Sequence, residues 1–380
     1  MSDTTSPTFL NSSFLEVLGN EPNNSSSNST AQTSNLFQPT DVSSNDYTGS
    51  IITTSDDYLF SSRHPTGDAD IENRSDIIVF KMNDDGNTQT QVDKISQPTQ
   101  YVKSSNHGNS MTWLASMDVD NDYLVVGCPN HKIDDNGTLK SRSGAIAIYK
   151  RDSGLDTWSL KQFIECPLKE SNNYFGFTVA ISNDYITVTK GDRFTTSVNK
   201  TTVTDHDGSV FVYKKDESEN WNLLGRIKHP PADENISSSN NWNDMFGHSL
   251  QMHGEWLVIT DPQERHIVKY NNSYSSSYSE TEIKSGTIFL FKKDTTSNNN
   301  YSLKNKIFLK GTEHAEAANV ESWQSWTPSA SNYPNQDVLK EFANNISLYK
   351  NTIIVSHTWY QWSSTFYGAI YIYDFDNDTG

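Results

Sequence analysis

A β-hairpin pattern recurs along the chain and constrains its fold more than any other feature. The stretch FGFTVAISNDYITV at residues 175–188 alternates apolar with small or polar residues on both sides of Asn183-Asp184. This pattern is typical of two strands joined by a two-residue turn. Five copies of such a unit indicate a repeat protein. The other copies are TSDDYLFSS, VDNDYLVVGCP, MHGEWLVITDP and LYKNTIIVSH, which begin at residues 54, 119, 252 and 348.

Two further apolar runs follow the hairpins and complete a four-stranded unit. The third run is usually opened by glycine, as in SGAIAIYK at residues 143–150, and the fourth follows a short polar turn, as in TWSLKQFIECP at residues 157–167. Four antiparallel strands per repeat, named A to D, are typical of β-propeller blades. We therefore predict an all-β fold, a five-bladed β-propeller. Its blades are predicted at about residues 47–98, 110–168, 172–230, 243–311 and 338–380.

The fifth unit contains strands A, B and C but no run that could be strand D. The segment SSFLEVLGNEP at residues 12–22 has the apolar spacing of the fourth strands. We predict that residues 1–18 supply the strand that closes the last blade, which would remove open sheet edges. Residues 19–46 are rich in Ser and Asn and are predicted to form a loop or a disordered segment. The rival interpretation is a truncated form of a seven-bladed plan.

The recurring elements, taken as a set, resemble a known family. Phe175-Gly176, the A/B hairpin, VVGCP at residues 125–129 and the glycine-led third strands resemble the FG-GAP repeats of integrin α-type propellers, over about residues 47–380. The resemblance implies a binding or adhesion function. It also implies calcium-binding loops with the spacing Asp-x-Asp-x-Asp-Gly, whose oxygen atoms suit a hard cation. No segment here has the full spacing, and ordinary turn chemistry is the alternative. The candidate calcium ligands are Asp118, Asp120, Asp122, Asp374, Asp376 and Asp378.

Charge and composition limit the classes of partner. The formal net charge is −18 and the pI is about 4.9, which argues against nucleic acid because phosphate backbones require a positive surface. No run approaches the ~18 apolar residues of a membrane span, and the first residues lack the pattern of a signal peptide. We expect an intracellular or particle-associated protein rather than classical secretion, either a monomer or a subunit of an assembly. Cys128 and Cys166, which strand C separates, are predicted to be free thiols.

Motifs of common catalytic sites are absent from the sequence. There is no G-x-S-x-G, H-E-x-x-H, Walker or dinucleotide-binding pattern. Ten histidines, among them His131, His229 and His357, show no metal-ligand spacing and are interpreted as ordinary loop residues. A hydrolase site would have to combine carboxylates from different blades. The sequence therefore favours a non-catalytic binding protein without a cofactor other than calcium.

The long connections predict where that protein would bind. In a propeller blade the B–C and D–A connections emerge on one face, here called the B–C face, and long loops are usually functional or disordered. Long B–C loops are predicted at residues 129–143, 189–207 and 260–285, and long D–A loops at residues 96–112, 228–245 and 310–341. The B–C connection of blade 5 is predicted to carry Trp359, Tyr360 and Trp362. We predict that this face binds a protein; the alternatives are a glycan, as in a lectin, or a hydrolase substrate. Aromatic side chains suit binding because rigid rings bury much area, although they could instead pin the loops to the blades. The candidate binding residues are Trp242, Trp323, Trp326, Tyr333, Trp359, Tyr360 and Trp362.

Overall fold

The chain folds as a five-bladed β-propeller, which confirms the predicted fold class. All described residues lie within one compact unit, Pro39–Gly380. They contain no helix, and so none that is long and apolar enough to cross a membrane. The predicted closing strand at residues 1–18 and the segment 19–45 lie outside the described residues. The computed structural model describes residues 46–55, 57–65, 75–82, 89–101, 113–191, 208–230, 245–271, 278–284, 286–308, 342–362, 365–378 and 380.

Each blade is an antiparallel sheet in which the strands follow the order A, B, C, D. Four blades have four described strands, and the fifth has three. Blade 1 contains β1 (Asp46–Thr54), β2 (Tyr58–Pro65), β3 (Asp76–Met82) and β4 (Gln89–Ser96). Blade 2 contains β5 (Ser116–Asp120) and β6 (Tyr123–Cys128), a separate hairpin of β7 (Ile133–Asp135) and β8 (Thr138–Lys140), and then β9 (Ala145–Asp152) and β10 (Thr157–Glu165).

The remaining blades repeat this plan. Blade 3 contains β11 (Val179–Ser182), β12 (Tyr185–Lys190), β13 (Ser209–Lys215) and β14 (Trp221–Lys228). Blade 4 contains β15 (Leu250–His253) and β16 (Trp256–Asp261), a separate hairpin of β17 (Arg265–Asn271) and β18 (Tyr278–Lys284), and then β19 (Thr287–Lys293) and β20 (Tyr301–Ile307). Blade 5 contains β21 (Phe342–Tyr349), β22 (Thr352–Trp362) and β23 (Thr365–Asp374).

The two-residue A–B turns explain why the hairpin pattern recurs. In four blades the first turn residue has a positive φ angle near 55°: Asn121 (53°), Asn183 (54°), Gly254 (59°) and Lys350 (53°). Asn and Gly tolerate this left-handed conformation better than most residues, and it suits a tight hairpin. On the opposite face, the A–B connections of these blades are therefore two-residue turns.

Contacts between a Phe of one blade and a Gly of the preceding blade hold adjacent blades together. The Phe backbone of one blade lies against the glycine that opens strand C of the preceding blade, so closely that a Cβ atom at this glycine would collide with it. In the first interface Trp113 replaces the Phe, and its indole Nε1 donates a hydrogen bond to the Ser75 carbonyl oxygen at 2.8 Å. Glycine is thus required by backbone contact between blades. The pairs, with the distance from an ideal Cβ to the Phe carbonyl oxygen, are Gly144–Phe175 (2.1 Å), Gly208–Phe246 (2.0 Å) and Gly286–Phe342 (2.4 Å).

Aromatic rings fill the interfaces between successive blades. Each of the four interfaces from blade 1 to blade 5 has its own buried apolar cluster. In each, an aromatic residue that opens strand B packs edge-on against a ring of the next blade, a contact worth about 0.5–1.5 kcal/mol beyond the area it buries. The pairs, with their centroid distances, are Tyr58–Trp158 (4.8 Å), Tyr123–Trp221 (5.8 Å), Tyr185–Tyr301 (6.1 Å) and Trp256–Phe375 (4.7 Å).

Candidate functional site

Three β-hairpins project from the B–C face, where the sequence predicted long loops. Hairpin β7–β8 turns at Asn136-Gly137, whose φ angles are 53° and 84°, as expected for the Asn-Gly turn that most strongly favours a hairpin. Hairpin β17–β18 pairs from Arg265↔Lys284 to Asn271↔Tyr278. In blade 5, β22 and β23 themselves extend past the sheet as a third hairpin. The predicted loops 129–143 and 260–285 therefore each contain a β-hairpin.

The predicted aromatic residues fall into two groups. Trp359, Tyr360 and Trp362 lie within β22, and the register pairs Tyr360 with Tyr367 and Trp362 with Thr365. The prediction that they lie in a B–C loop is corrected to an extended strand, because the B and C strands of blade 5 continue to pair beyond their neighbours. The other four candidates, Trp242, Trp323, Trp326 and Tyr333, lie outside the described residues.

The predicted calcium ligands of blade 2 bind backbone groups of blade 3. Asp118 Oδ2 accepts a hydrogen bond from the Ile181 amide at 2.8 Å, and Asp120 accepts one from the Asn183 amide. Burial raises the pKa of Asp118 to about 7, although its hydrogen bonds to backbone amides act in the opposite direction. These two carboxylates thus join the A strands of neighbouring blades.

Three of the other calcium candidates, Asp122, Asp374 and Asp376, accept hydrogen bonds from protein groups, and the fourth, Asp378, contributes its backbone amide to one of these bonds. Their contacts are those of turns and paired strands, and calcium binding stays a prediction. Asp122 Oδ1 accepts from Arg151 Nε at 2.7 Å, Asp374 Oδ1 accepts from Thr352 Oγ1 at 2.6 Å, and Asp376 Oδ1 accepts from the Asp378 amide at 2.9 Å.

A different group of ligand-type side chains meets at the boundary of blades 3 and 4. His229 directly follows β14, Asp261 ends β16, and Glu264 lies at the root of hairpin β17–β18. His229 Nε2 is 2.9 Å from Glu264 Oε2 and 3.4 Å from Asp261 Oδ2. Their ligand atoms all lie within 4.8 Å of one another, the one such group of His, Cys, Asp or Glu found in the described part of the chain. We call these three residues the blade 3–4 cluster.

Burial and hydrogen bonds define the electrostatics of the blade 3–4 cluster. The side chain of Asp261 is inaccessible to solvent, and that of Glu264 nearly so. Burial by itself lowers the pKa of His229, but the hydrogen bonds and charges of Asp261 and Glu264 outweigh it and raise this pKa to about 11. Burial raises the pKa of Glu264. Asp261 is further fixed by the backbone amides of Met245 and Gln263, at 3.0 and 2.8 Å.

The sequence interpretation of His229 as an ordinary loop residue did not foresee its two carboxylate partners, because they come from another blade. The signal was available by aligning the repeats at their strand ends. Asp261 occupies the position of Cys128, since each is the last B-strand residue and pairs with the first residue of strand C. Glu264 likewise occupies the position of His131: their carbonyl oxygens accept the amides of Gly286 and Gly144. Such an alignment shows which residues lie at equivalent strand ends, and the order of the blades then places His229 of blade 3 beside Asp261 and Glu264 of blade 4.

Blade 2 has a related corner with a different composition. His131 is buried, and its Nε2 lies 3.3 Å from Oε1 of the half-exposed Glu165. Burial lowers the pKa of His131, and Glu165 opposes this only in part. Cys128 and Cys166 are both buried free thiols, which confirms the prediction that they form no disulfide. Burial raises the pKa of both thiols, so neither is activated as a nucleophile.

Comparison with known proteins adds only distant likenesses. No protein-family model matches the chain, and no characterised protein matches it in sequence. A provisionally assigned 6-phosphogluconolactonase of Bacteroides uniformis is 10% identical with a TM-score of 0.34, covering 80% of this chain and 76% of that protein. The GH32 β-fructofuranosidase of Bombyx mori is 12% identical with a TM-score of 0.34, over 70% of this chain and 49% of the enzyme, so the chain spans about half of that enzyme. Neither likeness assigns an activity, and function is argued from this chain's own residues.

Proposed function

We propose that this chain is a non-catalytic recognition propeller that binds a protein partner through its B–C face, as an adhesion module or a subunit of a larger assembly. The observation that carries this proposal is the asymmetry between the two faces. The B–C connections of blades 2, 4 and 5 are folded hairpins, whereas the A–B connections of blades 2 to 5 are two-residue turns. Structure beyond what the blades need is concentrated on one face.

The hairpins suit a protein partner in particular. Among the described residues β7 pairs with β8 and β17 pairs with β18, and neither hairpin belongs to a blade sheet. Their outer edges offer backbone amides and carbonyls, to which an extended segment of a partner can add as a further strand. On β8, Leu139 is 57% exposed and offers an apolar contact beside this edge. The net charge of −18 would favour encounter with a basic partner.

The resemblance to FG-GAP repeats is consistent with this proposal. The Phe-Gly pairs have a defined structural purpose at the blade interfaces, and adhesion is the function that the resemblance implies.

The aromatic residues predicted for the B–C face are proposed as one sector of the binding surface. Substituting Trp326 and Trp359 by Ala should abolish partner binding with little change in melting temperature. Intact binding with a loss of several degrees would instead make these rings internal packing.

Replacement of hairpin β17–β18 tests the proposal directly. Residues 266–283 are exchanged for a short Gly-Ser linker, which keeps Glu264 and the strand ends. The matched control shortens the C–D turn at residues 216–220, on the opposite face. Partners captured by the immobilised wild-type chain are identified by mass spectrometry, and binding of one purified partner is then measured. We expect the hairpin variant to lose binding and the control to retain it.

The same two variants separate the alternative functions. A glycan-array signal that the hairpin variant loses, without any protein partner, would replace the proposal with a lectin. Turnover of a substrate that one carboxylate substitution abolishes would replace it with a hydrolase. Equal binding by both variants would contradict the placement of the site on the B–C face.

A further inference from the structure

We propose that the blade 3–4 cluster binds one divalent transition-metal ion, of the class of Zn²⁺, through His229 Nε2 and one carboxylate oxygen each of Asp261 and Glu264. The proposal is independent of the partner-binding function and rests on the geometry of these three side chains. One imidazole and two carboxylates form a ligand set that zinc accepts in proteins, with water completing the coordination.

The two separations from His229 Nε2 are close to those expected around a shared ion, and all three ligand atoms lie within 4.8 Å of one another. Zinc bonds of about 2.0–2.2 Å place neighbouring ligand atoms roughly 3.0–3.5 Å apart. His229 Nε2 is 2.9 Å from Glu264 Oε2 and 3.4 Å from Asp261 Oδ2. The shorter distance also suits a hydrogen bond, but the longer one lies beyond the usual range of N–H···O bonds. A single Nε2 atom thus faces two carboxylate oxygens, and one N–H cannot be directed well at both.

The hydrogen bond of the other ring nitrogen, Nδ1, determines whether Nε2 has a free lone pair. Nδ1 lies 2.5 Å from the Pro230 carbonyl oxygen, which only accepts hydrogen bonds, so Nδ1 carries a proton. A neutral ring then turns the Nε2 lone pair toward two carboxylates, and this is repulsive unless Nε2 is protonated or bound to a cation. Donation from Nδ1 to a backbone carbonyl is also the usual way in which a metal-bound histidine is oriented.

The charge balance favours the metal over an imidazolium. Counted over these three side chains alone, an imidazolium with two carboxylates carries one negative charge, whereas a divalent ion with a neutral imidazole and two carboxylates carries none. Lys306 also acts on Glu264, but its ammonium lies over the Phe289 ring at a partly exposed position, where solvent screens its charge. Uncompensated buried charge is costly. The His229 side chain is 10% exposed, which leaves a route for an ion to enter.

A metal at this position would link two blades at the root of a recognition hairpin. His229 belongs to the end of blade 3, while Asp261 and Glu264 belong to blade 4, and β17 begins one residue after Glu264. The ion would therefore fix the base of hairpin β17–β18 against the neighbouring blade. Because it binds the folded arrangement only, it should stabilise the whole protein.

Zinc titration of the full chain tests the site. The protein is stripped with EDTA, dialysed and titrated with ZnCl₂ by calorimetry, and its metal content is measured by mass spectrometry. CoCl₂ serves as a spectroscopic probe, since its visible absorption reports the coordination. We expect one ion per chain and a higher melting temperature with zinc than with EDTA. Absence of stoichiometric binding by the folded wild-type chain would overturn the proposal.

Variants then locate the ion. Glu264→Gln removes one ligand charge with little change of shape and should weaken zinc binding at least about 100-fold, because even outer partners of metal ligands alter affinity about 10- to 100-fold. His229→Gln should have the same effect, and it serves if the first variant does not fold. The matched control is Glu165→Gln, which alters the other His–Glu pair and should bind zinc as the wild type does. Wild-type affinity in both cluster variants, with circular dichroism confirming their fold, would place the ion elsewhere and overturn the assignment.

Discussion

Two buried histidines each lie next to a glutamate near a B–C connection, one within blade 2 and one between blades 3 and 4, and their pKa values shift in opposite directions. In blade 2, His131 faces one half-exposed carboxylate, Glu165, and burial lowers its pKa. In the blade 3–4 cluster, His229 is also buried, but two buried carboxylates outweigh the burial and raise its pKa to about 11. The backbone of the two corners is the same: the amides of Gly144 and Gly286 donate to the equivalent carbonyl oxygens of His131 and Glu264, at 3.0 and 3.1 Å. We call this shared arrangement the backbone frame.

The comparison shows that the backbone of a corner and its side chains vary separately. Two equivalent positions differ, because Cys128 and His131 in blade 2 stand where Asp261 and Glu264 stand in blade 4, and His229 comes from the end of blade 3. In the blade 3–4 cluster two buried carboxylates therefore face the histidine, and they outweigh the effect of burial on its pKa. The repeated backbone can thus carry corners of different charge through exchange of a few residues in adjacent blades.

The largest expected effect concerns the shared frame. Gly144→Ala and Gly286→Ala should each cost at least about 3 kcal/mol of unfolding free energy, because a Cβ would strike a Phe carbonyl and the backbone is left-handed. Their φ angles are +91° and +78°. The control is Gly137→Ala, with φ +84° and nothing within 4 Å of the added Cβ, which should cost about 1 kcal/mol. Urea denaturation measures all three. A large loss of unfolding free energy in only one of the two variants, Gly144→Ala or Gly286→Ala, would show that the two corners do not share one backbone frame.

The next largest effect distinguishes the corners. Asp261→Asn, measured in EDTA, should cost about 3–5 kcal/mol, because it breaks a buried ion pair and its amide group meets backbone N–H donors. In the wild-type chain the backbone amides of Met245 and Gln263 donate hydrogen bonds to the two carboxylate oxygens of Asp261. Cys128→Ala, at the equivalent position, should cost only about 1 kcal/mol. Equal losses in the two variants would show that Asp261 acts as ordinary packing.

The fold was predictable from the sequence because its determinants are local and repeated. The Asn183-Asp184 turn and the Phe175-Gly176 pair occur within one repeat, and the alternation of residues follows directly from strand geometry. The hairpin within the predicted loop 129–143 was missed for a local reason as well. The Asn136-Gly137 turn signals a hairpin, but flanking strands of three residues carry too short an alternation to be recognised.

The blade 3–4 cluster was not predictable by spacing within one segment. His229 belongs to one repeat, and Asp261 and Glu264 belong to the next, so only the ring arrangement brings them together. The candidate aspartates of strand β5 were chosen for their spacing, yet Asp118 and Asp120 each bind a backbone amide of β11. Ligand spacing along the chain is informative for loops, whereas sites between blades require alignment of the strand ends.

A smaller effect is the acid dependence of blade 2. The folded-state pKa of His131 is lowered by burial, so the unfolded chain binds a proton that the folded corner resists. The stabilising contribution is present above the unfolded pKa of about 6.5 and is lost as the pH falls toward the folded value. Between pH 6.5 and 5 the loss should be at most about 2 kcal/mol. His131→Gln should reduce the fall in unfolding free energy between pH 6.5 and 5. An unchanged fall would show that His131 is not its cause.

The smallest expected effect is that of Glu165→Gln, which removes the single carboxylate facing His131. The Glu165 side chain is 43% exposed and lies 3.3 Å from His131 Nε2, so solvent screens the pair, and the loss at pH 7 should be below about 1 kcal/mol. Because Glu165 raises the pKa of His131 against the effect of burial, its removal should lower that pKa further and make the acid limb steeper. Nuclear magnetic resonance titration of the His131 ring measures this directly. A rise in the pKa of His131 would contradict the assigned effect of Glu165. A stability loss as large as that of Asp261→Asn would mean that one half-exposed carboxylate stabilises its corner as strongly as a buried one does.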